Sequence, residues 1–205
     1  MSNSMFPQMD SLHLDVLKEI SSIGTGNAIS SLSKITNKRI SMEVPKVMFL
    51  EFKDVHKSIG DPEDMVAGIL VSLSGDISGM VMFILNVHTA RSLINYFYEK
   101  PTATNEFDEL DRSALEEMGN ILISSYISAL GTLINKRIIP SVPTVALDMA
   151  AAILSVPAIE FSKVADGVMH IETVFSAGAD QMSGYFLLVP ELESFNVIMK
   201  ALGAF

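Results

Sequence analysis

The spacing of apolar residues divides the chain into two long helical stretches and several shorter extended ones. Apolar side chains recur every three or four residues from Leu12 to about Thr36 and again from Leu110 to about Asn135, which predicts two amphipathic helices. Runs of alternating or continuous apolar residues predict strands. The predicted strands span Arg39–Phe52, Met65–Leu73, Ile77–Val87, Arg137–Leu147, Val168–Phe175 and Gly184–Val189.

Turn and capping residues complete this prediction. Ser74-Gly75-Asp76 predicts a hairpin between the strands that flank it, and the last two strands form a second hairpin. Shorter helices are predicted from a cap at Thr89 to about Glu99, over Asp148–Phe161 with a break near Pro157, and from Pro190 to Leu202.

An internal repeat organises these elements. Asn37-Lys38-Arg39-Ile40 recurs as Asn135-Lys136-Arg137-Ile138, and Val44-Pro45 recurs as Val142-Pro143, each 98 residues later. Each copy has the order helix, strand, strand, strand, helix, and the helix predicted at Asp148–Phe161 is an addition to the second copy alone. We therefore expect one domain over residues 1–205, with repeats at about 10–100 and 106–205 joined by the short connector Lys100–Asn105.

These elements define the expected fold class. It is α+β (α/β), with a pseudo-twofold internal duplication and a continuous, mostly antiparallel sheet. Two long helices, one from each copy, cover the sheet and carry the active faces.

The composition excludes several classes of function. The chain is 49% apolar and has a net charge of −10, so nucleic acid is not an expected partner. It has no cysteine, which excludes a disulfide scaffold, thiolate metal sites and a cysteine nucleophile. Polar residues interrupt the apolar stretches Met65–Val87 and Ile121–Ile139, and no signal peptide precedes them, so we expect no membrane span and a cytoplasmic location.

The two long helices carry similar polar faces. Opposite the core stripe of the second helix, which contains Leu115, Met118, Leu122, Tyr126, Ala129, Leu130 and Leu133, lie five polar residues: Ser113, Glu117, Asn120, Ser124 and Ser128. The first helix has Asp15, Glu19, Ser22, Gly26 and Ser30. Such faces are often only solvated. Two observations favour a functional site: asparagine is a poor helix former, and the acid recurs in both copies together with Pro45 and Pro143.

This spacing resembles the signature of the CheC, CheX and FliY family of chemotaxis phosphatases: Asp or Ser, three residues, Glu, two residues, Asn, twenty-two residues, Pro. The second copy matches at Ser113, Glu117, Asn120 and Pro143. The first copy matches at Asp15, Glu19 and Pro45 but has Ser22 in place of the asparagine. Two copies that cover the chain are most similar to the CheC branch of the family.

The resemblance implies an enzyme that hydrolyses the aspartyl phosphate of the response regulator CheY. The regulator supplies its own Mg²⁺ and lysine, so no cofactor is expected in this chain. Asn120 would position the attacking water and Glu117 would bind the regulator's lysine, with Ser113 and Pro143 as support. In the first copy Glu19 would belong to a second site, supported by Asp15 and Pro45 and weakened by Ser22.

Other functions stay open at this point. The segment around Asp148 resembles the one by which CheC proteins bind the receptor deamidase CheD, and it is equally compatible with an ordinary packed helix. The alternative to an enzyme is a non-catalytic adaptor that binds CheY or CheD to tune adaptation. The four histidines lack metal-ligand spacing and are expected to be non-catalytic.

Overall fold

The computed structural model describes residues 11–39, 41–99, 106–161, 168–177 and 180–202. The connector Lys100–Asn105 lies outside the described residues. The elements of the described part are, in chain order, α1 (Ser11–Thr36), β1 (Ser41–Leu50), α2 (Phe52–Ile59), β2 (Met65–Gly75), β3 (Gly79–Asn86), α3 (Val87–Tyr98), α4 (Glu109–Ile134), β4 (Ile138–Pro140), β5 (Thr144–Met149), α5 (Ala150–Phe161), β6 (Val168–Ala177), β7 (Asp180–Pro190) and α6 (Leu192–Ala201).

Seven strands form one antiparallel sheet in the order β1-β6-β7-β3-β2, with β4 and β5 both paired to β2 at the far edge. The central pair joins β3 to β7 from Gly79 opposite Pro190 to Leu85 opposite Gly184. Each edge strand pairs with a hairpin of the other half, since β1 binds β6 and β5 binds β2. The predicted α+β class with a continuous antiparallel sheet is confirmed.

The central strands are buried on both faces. In β3, Val81, Phe83 and Leu85 face the core formed with the long helices, whereas Met82 and Ile84 face a second core on the opposite side. This double burial explains why β3 has a continuous apolar sequence instead of an alternating one. Helices α1, α3, α4 and α6 contribute to the first core, and α2 and α5 contribute to the second.

The two long helices and both hairpins are confirmed, with ends within three residues of the prediction for the helices. The helix after β3 is also present, but Thr89 is not its cap. Asn86 is the N-cap residue, and its side chain accepts a hydrogen bond from the Thr89 backbone amide at 2.7 Å. Asparagine performs this role well because its short side-chain oxygen reaches the free amides of the first turn.

The helix predicted at Asp148–Phe161 begins two residues later than the sequence indicated and ends at Phe161, as predicted. It starts at Ala150, because the backbone amides of Ala150 and Ala151 donate to the carbonyls of Asp64 and Pro62. It also runs through Pro157 without a break. A single proline removes one backbone hydrogen bond, and the packing of α5 against the sheet compensates for that loss.

This helix also has a counterpart in the first half, contrary to the prediction. Helix α2 follows β1 as α5 follows β5, and the two helices contact each other on the same face of the sheet. Pro190 likewise does not open the last helix. It is the final residue of β7, paired with Gly79, and α6 starts at Leu192 after the N-cap residue Glu191.

Candidate active site

The outer face of α4 presents the predicted polar residues to solvent. Ser113, Glu117, Asn120 and Ser128 are exposed and Ser124 is half-buried. The opposite side contacts the core through Leu115, Met118, Leu122, Tyr126 and Leu130. Leu133, which the pattern assigned to the core, is 49% exposed because it lies in the last turn, beyond the edge of the sheet-facing stripe.

The beginning of α4 is fixed by a capping box. The Asp108 side chain accepts the backbone amide of Asp111, and the Asp111 side chain accepts the backbone amide of Asp108 in return. Reciprocal capping satisfies two amides that a helix end otherwise leaves without partners. The helix that carries Glu117 and Asn120 therefore has a defined start.

Arg91 of α3 anchors the same helix end. Its Nη1 lies 2.8 Å from Asp111 Oδ2, and the two side chains are only 7% and 3% exposed. A second guanidinium nitrogen donates to the Glu106 carbonyl, and the guanidinium carbon lies 4.1 Å from the centre of the Phe107 ring. A buried ion pair of this kind, supported by the hydrogen bond to the Glu106 carbonyl, holds α4 in one position relative to α3.

Two glycines allow α4 to approach its neighbours closely. A Cβ atom on Gly119, the residue before Asn120, would lie 2.5 Å from Ile69 Cγ2 on β2. On α1, a Cβ atom on Gly24 would lie 2.8 Å from the Tyr126 Cα. The Tyr126 hydroxyl is within 3.2 Å of the Ser21 hydroxyl, and burial raises the pKa of Tyr126 to about 12. The two long helices thus pack against each other, and α4 packs against the sheet, at small residues.

Tyr98 adds a contact to the polar face that the sequence pattern did not suggest. Its hydroxyl, at the end of α3, donates to Glu117 Oε2 at 3.3 Å. Partial burial, followed by the nearby Glu117 carboxylate, raises the pKa of Tyr98 above its ordinary value. Tyr98 is 42% exposed, so it forms one wall beside Glu117 without covering it.

Asn120 is held from the other side by Ser124. The Ser124 hydroxyl donates to Asn120 Oδ1 at 3.3 Å, one helical turn further along α4. An amide oxygen has two lone pairs, so this contact leaves one acceptor position and both Nδ2 hydrogens of Asn120 available. The exposed amide can therefore donate to one group and accept from another.

The face of α1 has a different chemistry at the position that matches Asn120. Asp15, Glu19 and Ser22 are all exposed, as predicted. The Ser22 hydroxyl donates to the Lys18 carbonyl of its own helix at 2.9 Å. This bond turns the short side chain back along the helix, a common state of serine in helices.

The motif prolines both lie where an edge strand is interrupted. Pro45 falls within β1, where the pairing with β6 shifts register between Glu43 and Lys46. Pro143 is buried at the break between β4 and β5. Proline lacks an amide hydrogen, so sheet edges and irregularities are the positions it tolerates. Ser113 lies in the second turn of α4, one turn before Glu117.

Asp148 lies outside this face, at the next-to-last residue of β5. It is exposed and pairs with Val66 of β2, and its Oδ1 accepts the backbone amide of Met149. Met149 and its neighbour across the strands, Met65, are 46% and 50% exposed. Asp148 is therefore one charge beside two exposed methionines, and it does not cap α5.

Charged and metal-binding side chains are otherwise scattered. Within the described ranges, no three His, Cys, Asp or Glu side chains come together as a metal site. His170 of β6 is buried and stacks on Tyr185 with ring centres 5.5 Å apart. Burial, with a smaller contribution from Lys46, lowers the pKa of His170 to about 4. No helix in the described part of the chain is both long and apolar enough to cross a membrane.

Comparison with known proteins gives a family for this geometry. The profile of the CheC-like family matches residues 12–49 and 110–147, two stretches that differ by the same 98 residues as the repeated motifs. The protein named CheY-P phosphatase CheC from Bacillus subtilis (strain 168) is 32% identical over 98% of this chain and 99% of its own length.

Solved structures share the fold. The crystal structure of Thermotoga maritima FliY has a TM-score of 0.78 and 20% identity, covering 97% of this chain and 99% of the FliY chain. A chain of the FliG-FliM complex from H. pylori gives a TM-score of 0.68 at 12% identity, covering 94% of this chain and all of that chain. With a full-length relative at this level of identity, the chain belongs to the CheC-like family.

Proposed function

We propose that this protein is a phosphatase that hydrolyses the aspartyl phosphate of phosphorylated CheY. The observation that carries the proposal is the exposed Glu117–Asn120 pair on α4, whose start is fixed by the Arg91–Asp111 ion pair. The name of the Bacillus subtilis relative, CheY-P phosphatase CheC, gives the reaction. The face that carries the pair is open, so a protein surface can reach it.

In the proposed reaction, water attacks the phosphorus of the aspartyl phosphate. The bond between phosphorus and the carboxylate oxygen breaks, which releases inorganic phosphate and regenerates the aspartate. The regulator contributes the Mg²⁺ and lysine that neutralise charge on the phosphoryl oxygens. What this chain has to contribute is the position of the water, in line with the bond that breaks.

Asn120 is the group we assign to the water. An uncharged amide does not repel the phosphoryl group, and it can both accept from the water and donate to a phosphoryl oxygen. Ser124 supports this assignment, because its hydrogen bond to Oδ1 limits the rotation of the Asn120 side chain.

Glu117 is assigned to docking. A carboxylate next to a phosphoryl group would be repelled unless a cation lies between them, and the regulator's lysine is such a cation. Tyr98 supports the same role, since its hydrogen bond leaves one carboxylate oxygen of Glu117 free to accept from a partner.

The first face is proposed to be much weaker. The Ser22 hydroxyl is shorter than an amide, and it is already engaged with the Lys18 carbonyl. A water displaced by about 1 Å reduces a rate by on the order of a hundredfold. Asp15, Glu19 and Pro45 would then hold a site that contributes little turnover.

The test is release of phosphate from phosphorylated CheY by three forms of the protein. We expect Asn120→Ala to lose most of the acceleration and Ser22→Ala to remain close to the unmodified protein. Both positions are exposed, so both variants should fold. Equal losses in the two variants, or no acceleration by the unmodified protein, would contradict the proposal.

The second candidate function is binding without catalysis, and exposed apolar residues favour a partner site elsewhere on the molecule. Asp148 with Met65 and Met149 forms a surface patch at the β2–β5 edge, which we propose as the binding site for CheD. Asp148→Lys should abolish capture of CheD in a pull-down, with Glu43→Lys, an exposed position on β1 at the opposite edge of the sheet, as a control of equal charge change. A protein that binds CheY in single-turnover experiments without accelerating dephosphorylation would be an adaptor.

A further inference from the structure

A groove continues from the polar face of α4 to the end of that helix. It runs beside Ser124, Ser128 and Thr132, and on its other side lies the segment from Asn135 to Pro140. Ser124 is also the residue that binds the Asn120 amide. The groove and the proposed catalytic face are therefore one continuous surface.

Two cationic residues lie at the end of this groove that is distant from Asn120. Lys136 and Arg137 are exposed and line it, and neither forms an ion pair with any residue that the structure describes. Asp76 is the acidic residue in the groove, and its Oδ2 accepts the Arg137 backbone amide at 2.8 Å. Asp76 thus holds the segment in place through its backbone and forms no ion pair with either cationic side chain.

The matching segment of the first half makes different contacts. Lys38, the counterpart of Lys136, lies 2.8 Å from Glu99 and 5.3 Å from the centre of the Tyr96 ring. The Tyr96 hydroxyl also donates to the Arg39 carbonyl. The lysine of the tetrapeptide is therefore paired in the half that carries Ser22, whereas in the half that carries Asn120 it has no ion pair with a described residue.

The asparagine of each tetrapeptide has a structural role that its cations do not share. Asn37 and Asn135 both have φ near +53°, the left-handed conformation that ends a helix. This accounts for asparagine in both copies. It does not account for two cations beside the groove that have no ion pair among the described residues, in a chain with a net charge of −10.

We propose that Lys136 and Arg137 bind an acidic surface segment of the phosphorylated regulator while its phosphoryl group is held at Asn120. This inference rests on the proposed function. From Asn120 to its last residue, Ile134, α4 advances about 21 Å at 1.5 Å per residue, and the Lys136 amide turns back to the Gly131 carbonyl. This span is less than the diameter of a small domain, so one regulator can reach both ends. The net negative charge of this chain does not attract an acidic partner. Local cations at the contact would therefore strengthen binding to an acidic segment.

The experiment measures the dissociation constant for CheY with beryllofluoride bound, a stable mimic of the aspartyl phosphate, at low and high salt. The double variant Lys136→Ala, Arg137→Ala should bind roughly five- to tenfold more weakly at low salt, as expected for two exposed ion pairs. Salt should reduce that difference, because it screens exposed charges. The control is Lys34→Ala, Lys200→Ala, which removes the same charge at two other exposed positions and should change binding less than twofold.

Turnover separates this inference from the proposed function. In phosphate release, the Lys136, Arg137 double variant should raise KM while kcat stays the same, whereas Asn120→Ala should lower kcat. If the unmodified protein binds CheY but releases no phosphate, the proposed function fails and the binding comparison still decides the role of the cations. Equal dissociation constants for the unmodified protein and the double variant, or an equal loss in the control, would overturn the inference.

Discussion

The ion pair between Arg91 and Asp111 predicts a large loss of stability when one partner is removed. Replacement of Arg91 by Met keeps most of the apolar contact with Phe107 but leaves the Asp111 carboxylate buried without its cation. Replacement of Asp111 by Asn keeps an oxygen that can accept the Asp108 amide but leaves the guanidinium without its anion. Both single variants therefore remove the charge interaction and preserve much of the surrounding structure.

The expected magnitude follows from burial. Because the side chains are 7% and 3% exposed, water cannot replace the missing partner, and loss of one member of such a pair destabilises a protein by about 3–5 kcal/mol. In a chain of this size, each 1 kcal/mol lowers Tm by about 2–4 °C. Each single variant should thus melt on the order of 10 °C lower. The double variant, with no buried charge left, should recover about half of the loss.

Urea denaturation followed by circular dichroism measures all four forms of this double-mutant cycle. A coupling free energy of at least about 2 kcal/mol is expected for a buried, charged contact. Single variants within about 1 kcal/mol of the unmodified protein, or strictly additive effects, would show that the pair does not anchor α4. The exposed pair of Lys57 and Asp54 is the control cycle, with an expected coupling below about 1 kcal/mol.

Three further predictions concern single side chains. Tyr98→Phe removes the hydroxyl that orients Glu117, so we expect KM for phosphorylated CheY to rise about two- to fivefold with kcat unchanged; an unchanged KM would contradict the role of Tyr98. Ser22→Asn completes the motif on α1 and should increase phosphate release per molecule. An increase that is also seen in the Asn120→Ala background would demonstrate an independent site, and no increase in either background would contradict the role of the amide. The pKa of His170 lies near 4 in the folded protein and near 6.5 in the unfolded chain, so between these values the folded state binds fewer protons than the unfolded chain. Stability should be unaffected above pH 7 and lower by about 2.5 kcal/mol at pH 4.5, and this loss should be absent in His170→Leu.

The sequence alone predicted the elements in which the apolar pattern repeats over many residues. Helices α1 and α4 have a stripe repeated over 26 residues each, and the exposed face of α4 followed from the same periodicity. Helix α2 was missed because it is eight residues long and begins two residues after β1 ends. In a segment that short, an amphipathic pattern cannot be distinguished from the end of a strand.

The parts of the site that depend on tertiary contacts could not be predicted from the sequence. Glu117 and Asn120 were found because they share one helix, where spacing fixes relative position. Tyr98 and Arg91 were not found, since they reach α4 from α3 and no local pattern connects residues 19 or 20 positions apart across a connector. The helix start at Ala150 was likewise hidden, because carbonyls of residues 62 and 64 decide it.

The differences between the two halves that bear on the proposed function lie in a few exposed or half-buried side chains. On α4 the amide of Asn120 is free to act, whereas on α1 the hydroxyl of Ser22 bonds to its own backbone. After α4 the cation of Lys136 is unpaired among the described residues, whereas after α1 Lys38 is bound to Glu99. None of these positions contributes to the core, so each can change without loss of the fold. The catalytic and docking proposals place a binding surface and a water-positioning amide in the same half. Ser22→Asn alone should therefore give a slow second site, and release of Lys38 by Glu99→Gln should increase its turnover. A Ser22→Asn, Glu99→Gln variant in the Asn120→Ala background that releases phosphate faster than Ser22→Asn in that background would show that the two features act together; equal rates would show that the amide alone limits the first site.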